Sequence, residues 1–92
     1  MAITVIIPTA LRQYAGGQRE VTVDGATIGD ALSRLTTQYA DFGKQIFGED
    51  GNLRSFVNVY RNDDDVRYLE GLATPVRDGD EVSIIPAIAG GK

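Results

Sequence analysis

Asp78-Gly79-Asp80-Glu81-Val82-Ser83-Ile84-Ile85-Pro86 is the stretch on which the fold turns. Asp-Gly is tight-turn chemistry, and the β-branched run after it, with Val82 and Ile84 two apart, predicts a strand. Pro86 is expected to close that strand, because proline has no N–H to give to a ladder. Its counterpart is Ala2 to Pro8, where Ile3, Val5 and Ile7 alternate and Ile6 falls on the other face. Two such hydrophobic strands, one at each end of the chain, suit the central and parallel positions of a single sheet.

The rest of the chain fills in between them. Thr9 to Gly17 is expected to be a long connection closing on Gly16-Gly17. Arg19-Glu20-Val21-Thr22-Val23 alternates as a half-buried strand and makes a hairpin with the first, stopped by Asp24-Gly25. Thr27 is a candidate helix N-cap with Asp30 as its capping-box partner, and Asp30 and Arg34 are a favourable i,i+4 pair. Ile28, Leu32, Leu35 and Tyr39 repeat at helical spacing and predict a helix over Ile28 to Ala40. Asp41 to Ser55 is punctuated by Gly43, Gly48 and Gly51, and reads as a loop or short turn tucked down by Phe42, Ile46 and Phe47. Phe56 to Tyr60 predicts a strand, Asn62 to Asp65 a turn, Val66-Arg67-Tyr68 a short return strand and Leu72 to Val76 a connector.

A single main helix covers only one face of a sheet. The order strand, strand, helix, strand, short strand, strand therefore predicts an α+β protein of β-grasp (ubiquitin-like) architecture. It would have a mixed sheet of about four to five strands with one main helix packed on one face. Residues 1–86 are expected to form this domain, and residues 87–92 a flexible Gly-Gly tail.

Composition narrows the chemistry. At 92 residues the chain buries about 60–65% of its unfolded surface, which leaves little material for a deep catalytic cleft. Its 42% hydrophobic and 24% charged residues are ordinary for a globular domain. The net charge of −4, with no basic stripe, argues against nucleic acid. There is no Cys and no His, so thiolate nucleophiles, imidazole bases and the commonest zinc ligands are excluded. The opening residues lack a secretory pattern and no apolar run reaches the ~20 residues of a membrane span, so the expected location is the cytoplasm.

Asp63-Asp64-Asp65 lacks the ligand spacing of a calcium loop and reads as a solvated hairpin tip. Gly16-Gly17 is not followed by Lys-Ser/Thr and is not a phosphate loop. Tyr14, Tyr39, Tyr60 and Tyr68 form no stacking stripe. No general acid–base pair stands out, no metal is expected, and no cofactor is expected to be held by the chain.

The segment after Pro86 is different. Ala87-Ile88-Ala89-Gly90-Gly91-Lys92 holds only small and apolar residues before its final lysine. Extended from Pro86 to Gly91 it reaches at most about 20 Å. Gly90 and Gly91, without Cβ atoms, pass through a slot too narrow for other residues. A partner's active site could then reach a carboxyl at Gly91 while the body stays outside. Adenylation by ATP would turn that carboxylate into an anhydride open to a sulfur or nitrogen nucleophile, with every catalytic group supplied by the partner.

These residues resemble the MoaD/ThiS family of ubiquitin-like sulfur carriers along essentially the whole chain. The matching pieces are Ile3-Thr4-Val5-Ile6-Ile7-Pro8, Phe56-Val57-Asn58-Val59-Tyr60, Leu72 with Asp78-Gly79-Asp80-Glu81-Val82, and Ile85-Pro86-Ala87-Ile88-Ala89-Gly90-Gly91. Pro8-Thr9-Ala10-Leu11-Arg12, Gly16-Gly17-Gln18, Arg54-Ser55, Asn62-Asp63-Asp64-Asp65-Val66-Arg67 and Gly71-Leu72-Ala73-Thr74 look most like the cysteine-biosynthesis carriers. The resemblance implies a protein co-substrate rather than an enzyme. An ATP-dependent activating enzyme would adenylate Gly91, and sulfur would convert it to a thiocarboxylate. A pyridoxal-phosphate-dependent cysteine synthase would take the sulfur, and a zinc metalloprotease would release the product.

Family members ready to react end in Gly-Gly, whereas Gly91 is amide-bonded to Lys92 here. Either a metalloprotease trims Lys92, or Lys92 is not native to the chain, or the chain is not a carrier as written; trimming is the expectation adopted. The alternatives in function are the small subunit of molybdopterin synthase or a thiamine-thiazole carrier and, in another class, a protein modifier or plain interaction domain. Tyr60, Ile85 and Ile88 are candidates for a partner-binding surface, with core or sheet-edge packing as the competing role.

Overall fold

The computed structural model describes residues 2–86. β1 (Ala2–Ile6) and β2 (Glu20–Asp24) form the expected antiparallel hairpin, with Ile3 opposite Val23 and Val5 opposite Val21. Next come α1 (Ile28–Gln38), α2 (Ala40–Ile46), β3 (Val57–Arg61), the two-residue β4 (Asp64–Asp65) and β5 (Glu81–Pro86). The sheet order is β2-β1-β5-β3-β4, so β5 is the middle strand, parallel to β1 and antiparallel to β3. This is a β-grasp fold with a mixed five-stranded sheet.

Period-two patterning explains the layering. Ile3, Val5, Val21, Val23, Val57, Val59, Val82 and Ile84 share one face of the sheet, and all are buried. The helices cover that face with Ile28, Ala31, Leu32 and Leu35 of α1 and Phe42 and Ile46 of α2. Each full burial contributes roughly 1.5–3 kcal/mol before entropy is counted. Thr27 caps α1 as expected, its Oγ1 accepting from the Asp30 amide at 3.1 Å. The Asp30 carboxylate in turn accepts from the amide of Ala26, one residue before the cap.

The turn before β5 also locks the strand ends together. Gly79 takes φ 89°, and the Asp78 carboxylate accepts from the Ala2 amide at 2.7 Å. The Gly79 amide donates to the carbonyl of Ala2 and the Thr4 amide to that of Asp80, which sets the β1–β5 register.

Three expectations need correction. Thr9 to Gly17 is not a plain connection, because Thr9–Ala15 forms a 3-10 helix that buries Leu11 and Ala15 and ends at Gly16 with φ 67°. The helix expected over Ile28 to Ala40 stops at Gln38, and a second helix begins at Ala40 where an irregular segment was expected. Phe42 and Ile46, one turn apart, pull α2 onto the core. Gly43 serves close packing rather than helix breaking, since a Cβ there would lie 3.0 Å from the Thr36 Cβ of α1. The return strand is Asp64–Asp65, and Val66–Tyr68 is a 3-10 turn. Asp65 caps that turn by accepting from the Arg67 amide, which leaves Val66 pointing into the core. Pro86 ends β5, opposite Val57, and so closes the strand as expected. As the terminal residue it forgoes at most one ladder bond for its missing N–H.

Candidate functional site

The described residues end at Pro86, the last residue of the middle strand β5. Parallel pairing of β5 with β1 ends at Ile6–Ser83, so Ile84 to Pro86 keep only β3 as a neighbour. On the β1 side, Pro8 and the 3-10 helix after it step away from β5. The space opened is a groove of about 470 Å³, walled by Ile6, Pro8, Thr9, Arg12, Ile85 and Pro86 among others. Its walls are mostly apolar, and Arg12 is the charged group among them. Arg12 Nε donates to the carbonyl of Ile7 at 3.1 Å, which pins the side chain beside the groove.

The β3 side mirrors this arrangement. Residues 47–56 form a loop closed by the Phe47–Leu53 bridge, and deliver Arg54 and the exposed Phe56 to the start of β3. Arg54 Nη2 and Nε donate to the carbonyl of Lys44, at the end of α2, at 2.9 and 3.3 Å.

The face of the sheet turned away from the helices carries Ile6, Asn58, Tyr60, Ser83 and Ile85. Tyr60 is half-buried and stands opposite Ser83 on one side and Asp65 on the other. Ile85 is 48% exposed and stands opposite Asn58. The structure thus places Tyr60 and Ile85 on one face as diagonal neighbours on adjacent strands. Beside them the Asp65 carboxylate takes the Arg67 guanidinium at 2.8 Å. Hydrogen bonds from that side chain and from its backbone amide hold the Asp65 carboxyl below the ordinary carboxylate range. Ile88, Gly90, Gly91 and Lys92 lie outside the described residues.

Thr9 and Ser83 bring hydroxyls to the groove, yet no titratable base is among its lining residues. Asp65 of the acidic turn is engaged by Arg67, and among the described residues no group of three or more Asp or Glu is placed to hold a metal ion. Among the same residues no helix is long and apolar enough to cross a membrane. Sequence reasoning located the exit strand but missed the groove, Arg12 and Arg54. Both arginines stand in segments already singled out for resemblance; what was missing is that they flank the same strand end, which only the sheet order reveals.

Comparison with known proteins agrees with this geometry. The ThiS family profile matches residues 5–91. The chain is 46% identical over 93 residues to the sulfur carrier protein CysO of Mycobacterium tuberculosis, covering 99% of this chain and 100% of that protein. It is also similar to a chain in the crystal structure of the Amycolatopsis orientalis BexX/CysO complex. There the TM-score is 0.89 at 42% identity, covering 98% of this chain and 100% of the other. A more distant likeness is to small archaeal modifier protein 3 of Haloferax volcanii, 43% identical over 68 residues, or 74% of this chain and 73% of that one.

Proposed function

The chain belongs to the ThiS family of ubiquitin-like sulfur carriers, and on that premise we propose that Gly91 is its reactive residue. Removal of Lys92 by a zinc metalloprotease exposes the Gly91 carboxylate. An oxygen of that carboxylate attacks the α-phosphorus of ATP in an activating enzyme, and pyrophosphate leaves. A sulfur nucleophile then attacks the acyl carbon, AMP leaves, and the C-terminus becomes a thiocarboxylate. A pyridoxal-phosphate-dependent cysteine synthase takes up the sulfur for cysteine biosynthesis in the cytoplasm, and a metalloprotease releases the product. The protein is the co-substrate in each step, and ATP and pyridoxal phosphate belong to its partners.

The observation that carries this reading is the family match running through Gly91 on a body whose middle strand ends at Pro86. Residues 87–91 then act as a narrow tail for a partner's slot, and Gly91→Ala impairs activation by adding a Cβ there. Tyr60, Ile85 and Ile88 contribute to the recognition surface. The test is intact mass of a chain ended at Gly91 after incubation with the activating enzyme, ATP and a sulfur source. Exchange of oxygen for sulfur adds about 16 Da, and a mass that does not move refutes the proposal.

The likeness to a small archaeal modifier protein favours one second reading, conjugation to other proteins. It predicts Gly91 in isopeptide linkage to target lysines, which the same mass spectra of cell-derived material would display.

A further inference from the structure

The two arginines beside the exit strand belong to no step described so far. Each is tied through Nε to a backbone carbonyl, Arg12 to Ile7 and Arg54 to Lys44. A guanidinium carries five N–H donors, so both keep outward donors after these bonds. Their places follow from topology. Arg12 follows the end of β1, Arg54 precedes the start of β3, and these ends flank the end of β5. One arginine thus stands on each side of the end of β5.

The charge elsewhere is arranged in the opposite sense. At the other end of the strands Asp24, Asp63, Asp64, Asp78, Asp80 and Glu81 outnumber Arg61 and Arg77. Near the end of β5, Glu20 begins the outermost strand directly after Arg19, Glu49 lies in the loop that carries Arg54, and the Asp50 carboxylate accepts from the Asn52 amide. On a chain of net charge −4, this strand end presents an apolar groove lined by Arg12, with Arg54 on the β3 side of the same end.

We propose that this end of the sheet is a charge-selective dock for an apolar partner surface bearing carboxylates, with Arg12 and Arg54 as its two anchors. The partner is the activating enzyme, so the inference rests on the sulfur-carrier reading. Holding the guanidinium groups in place beforehand reduces the side-chain entropy lost on docking. Opposite charges at the rim speed encounter and fix orientation, so Asp or Glu side chains on the enzyme would align the body as the tail enters.

The test is steady-state adenylation, followed by pyrophosphate release, with the chain ended at Gly91 and an ATP-dependent activating enzyme. The wild-type KM for the carrier should rise with ionic strength as the rim charges are screened. At low salt, Arg12→Glu with Arg54→Glu should raise that KM about tenfold or more at unchanged kcat, and the gap should shrink at high salt. Arg12→Lys with Arg54→Lys, which keeps charge but gives up the guanidinium pins, should stay within about threefold. Arg34→Glu on α1 controls for overall charge.

A salt-independent wild-type KM overturns the inference. So does a folded double reversal with an unchanged KM, or Arg34→Glu having an equal effect. A change confined to the KM for ATP would assign the arginines to the nucleotide and overturn it as well. A wild-type chain adenylated normally beside an unaffected double variant removes this inference alone. A wild-type chain that is never adenylated removes the carrier reading and the inference together.

Discussion

Ile84 and Ile85 are neighbours in sequence with opposite fates, and truncating each to alanine tests the placement of the exit strand. Ile84 is 2% exposed, stands opposite Val59 and lies in the core under the helices. Ile84→Ala leaves a cavity as well as losing transfer energy, and should cost about 3–4 kcal/mol. A domain of this size has a total stability of roughly 5–14 kcal/mol, so that is a large share. At about 4–8 °C per kcal/mol, Tm should fall by roughly 12–32 °C. With a urea m-value of about 1 kcal/mol/M, the midpoint should fall by about 3 M with m unchanged. Ile85 is 48% exposed on the face away from the helices, so Ile85→Ala should cost about 1 kcal/mol at most. Urea titrations of the two variants side by side provide the assay. Equal losses, or a larger loss at Ile85, would refute the register, because a slip of one residue exchanges the two faces of a strand.

Thr27→Ala removes the oxygen that accepts from the Asp30 amide and should cost about 1 kcal/mol in the same titration, while Thr27→Ser should restore most of it. Gly25→Ala places a Cβ 2.9 Å from the backbone nitrogen of Ala31, which cannot yield as a side chain could, so a loss of about 1–3 kcal/mol is expected in thermal melts. Asp50, Asp65 and Asp80 have carboxyls held below their ordinary value of 3.8, chiefly by hydrogen bonds from Asn52, Arg67 and the Arg77 amide respectively. Folded values below the unfolded ones mean that this stabilisation is complete above pH 3.8 and is lost as pH falls through the lowered values. Urea midpoints measured downward from pH 6 should therefore decline below about pH 4, and Asp65→Asn should flatten that decline.

Much of the fold was legible because local rules and tertiary demands agree. Ile3-Val5-Ile7 and Val82-Ile84 alternate because one sheet face is covered and the other is not. Thr27 caps because its oxygen reaches an amide three residues on, and Gly79 turns because only the left-handed region closes that bend. The same local rules misjudged α2. Gly43 looks like a helix breaker until Thr36 of α1 is seen against it, and that contact exists only once the helices have packed. Asp65 likewise reads as part of a turn, and its carboxylate's grip on Arg67 is what converts the next three residues from strand to 3-10 turn.

The candidate site divides in the same way. Sequence alone determined that the chain has no thiol and no imidazole, and that Gly90-Gly91 follow Pro86. It did so because residue identity and order are enough to exclude a thiol or an imidazole and to place Gly90-Gly91 after a β-branched run. Only the tertiary structure decided what surrounds that exit. Arg12 and Arg54 are 42 positions apart and become flanking partners because β1 and β3 both border β5, with their ends meeting at Pro86. Pairing across a sheet is a long-range choice set by burial of the whole apolar face, and no local pattern around either arginine encodes it.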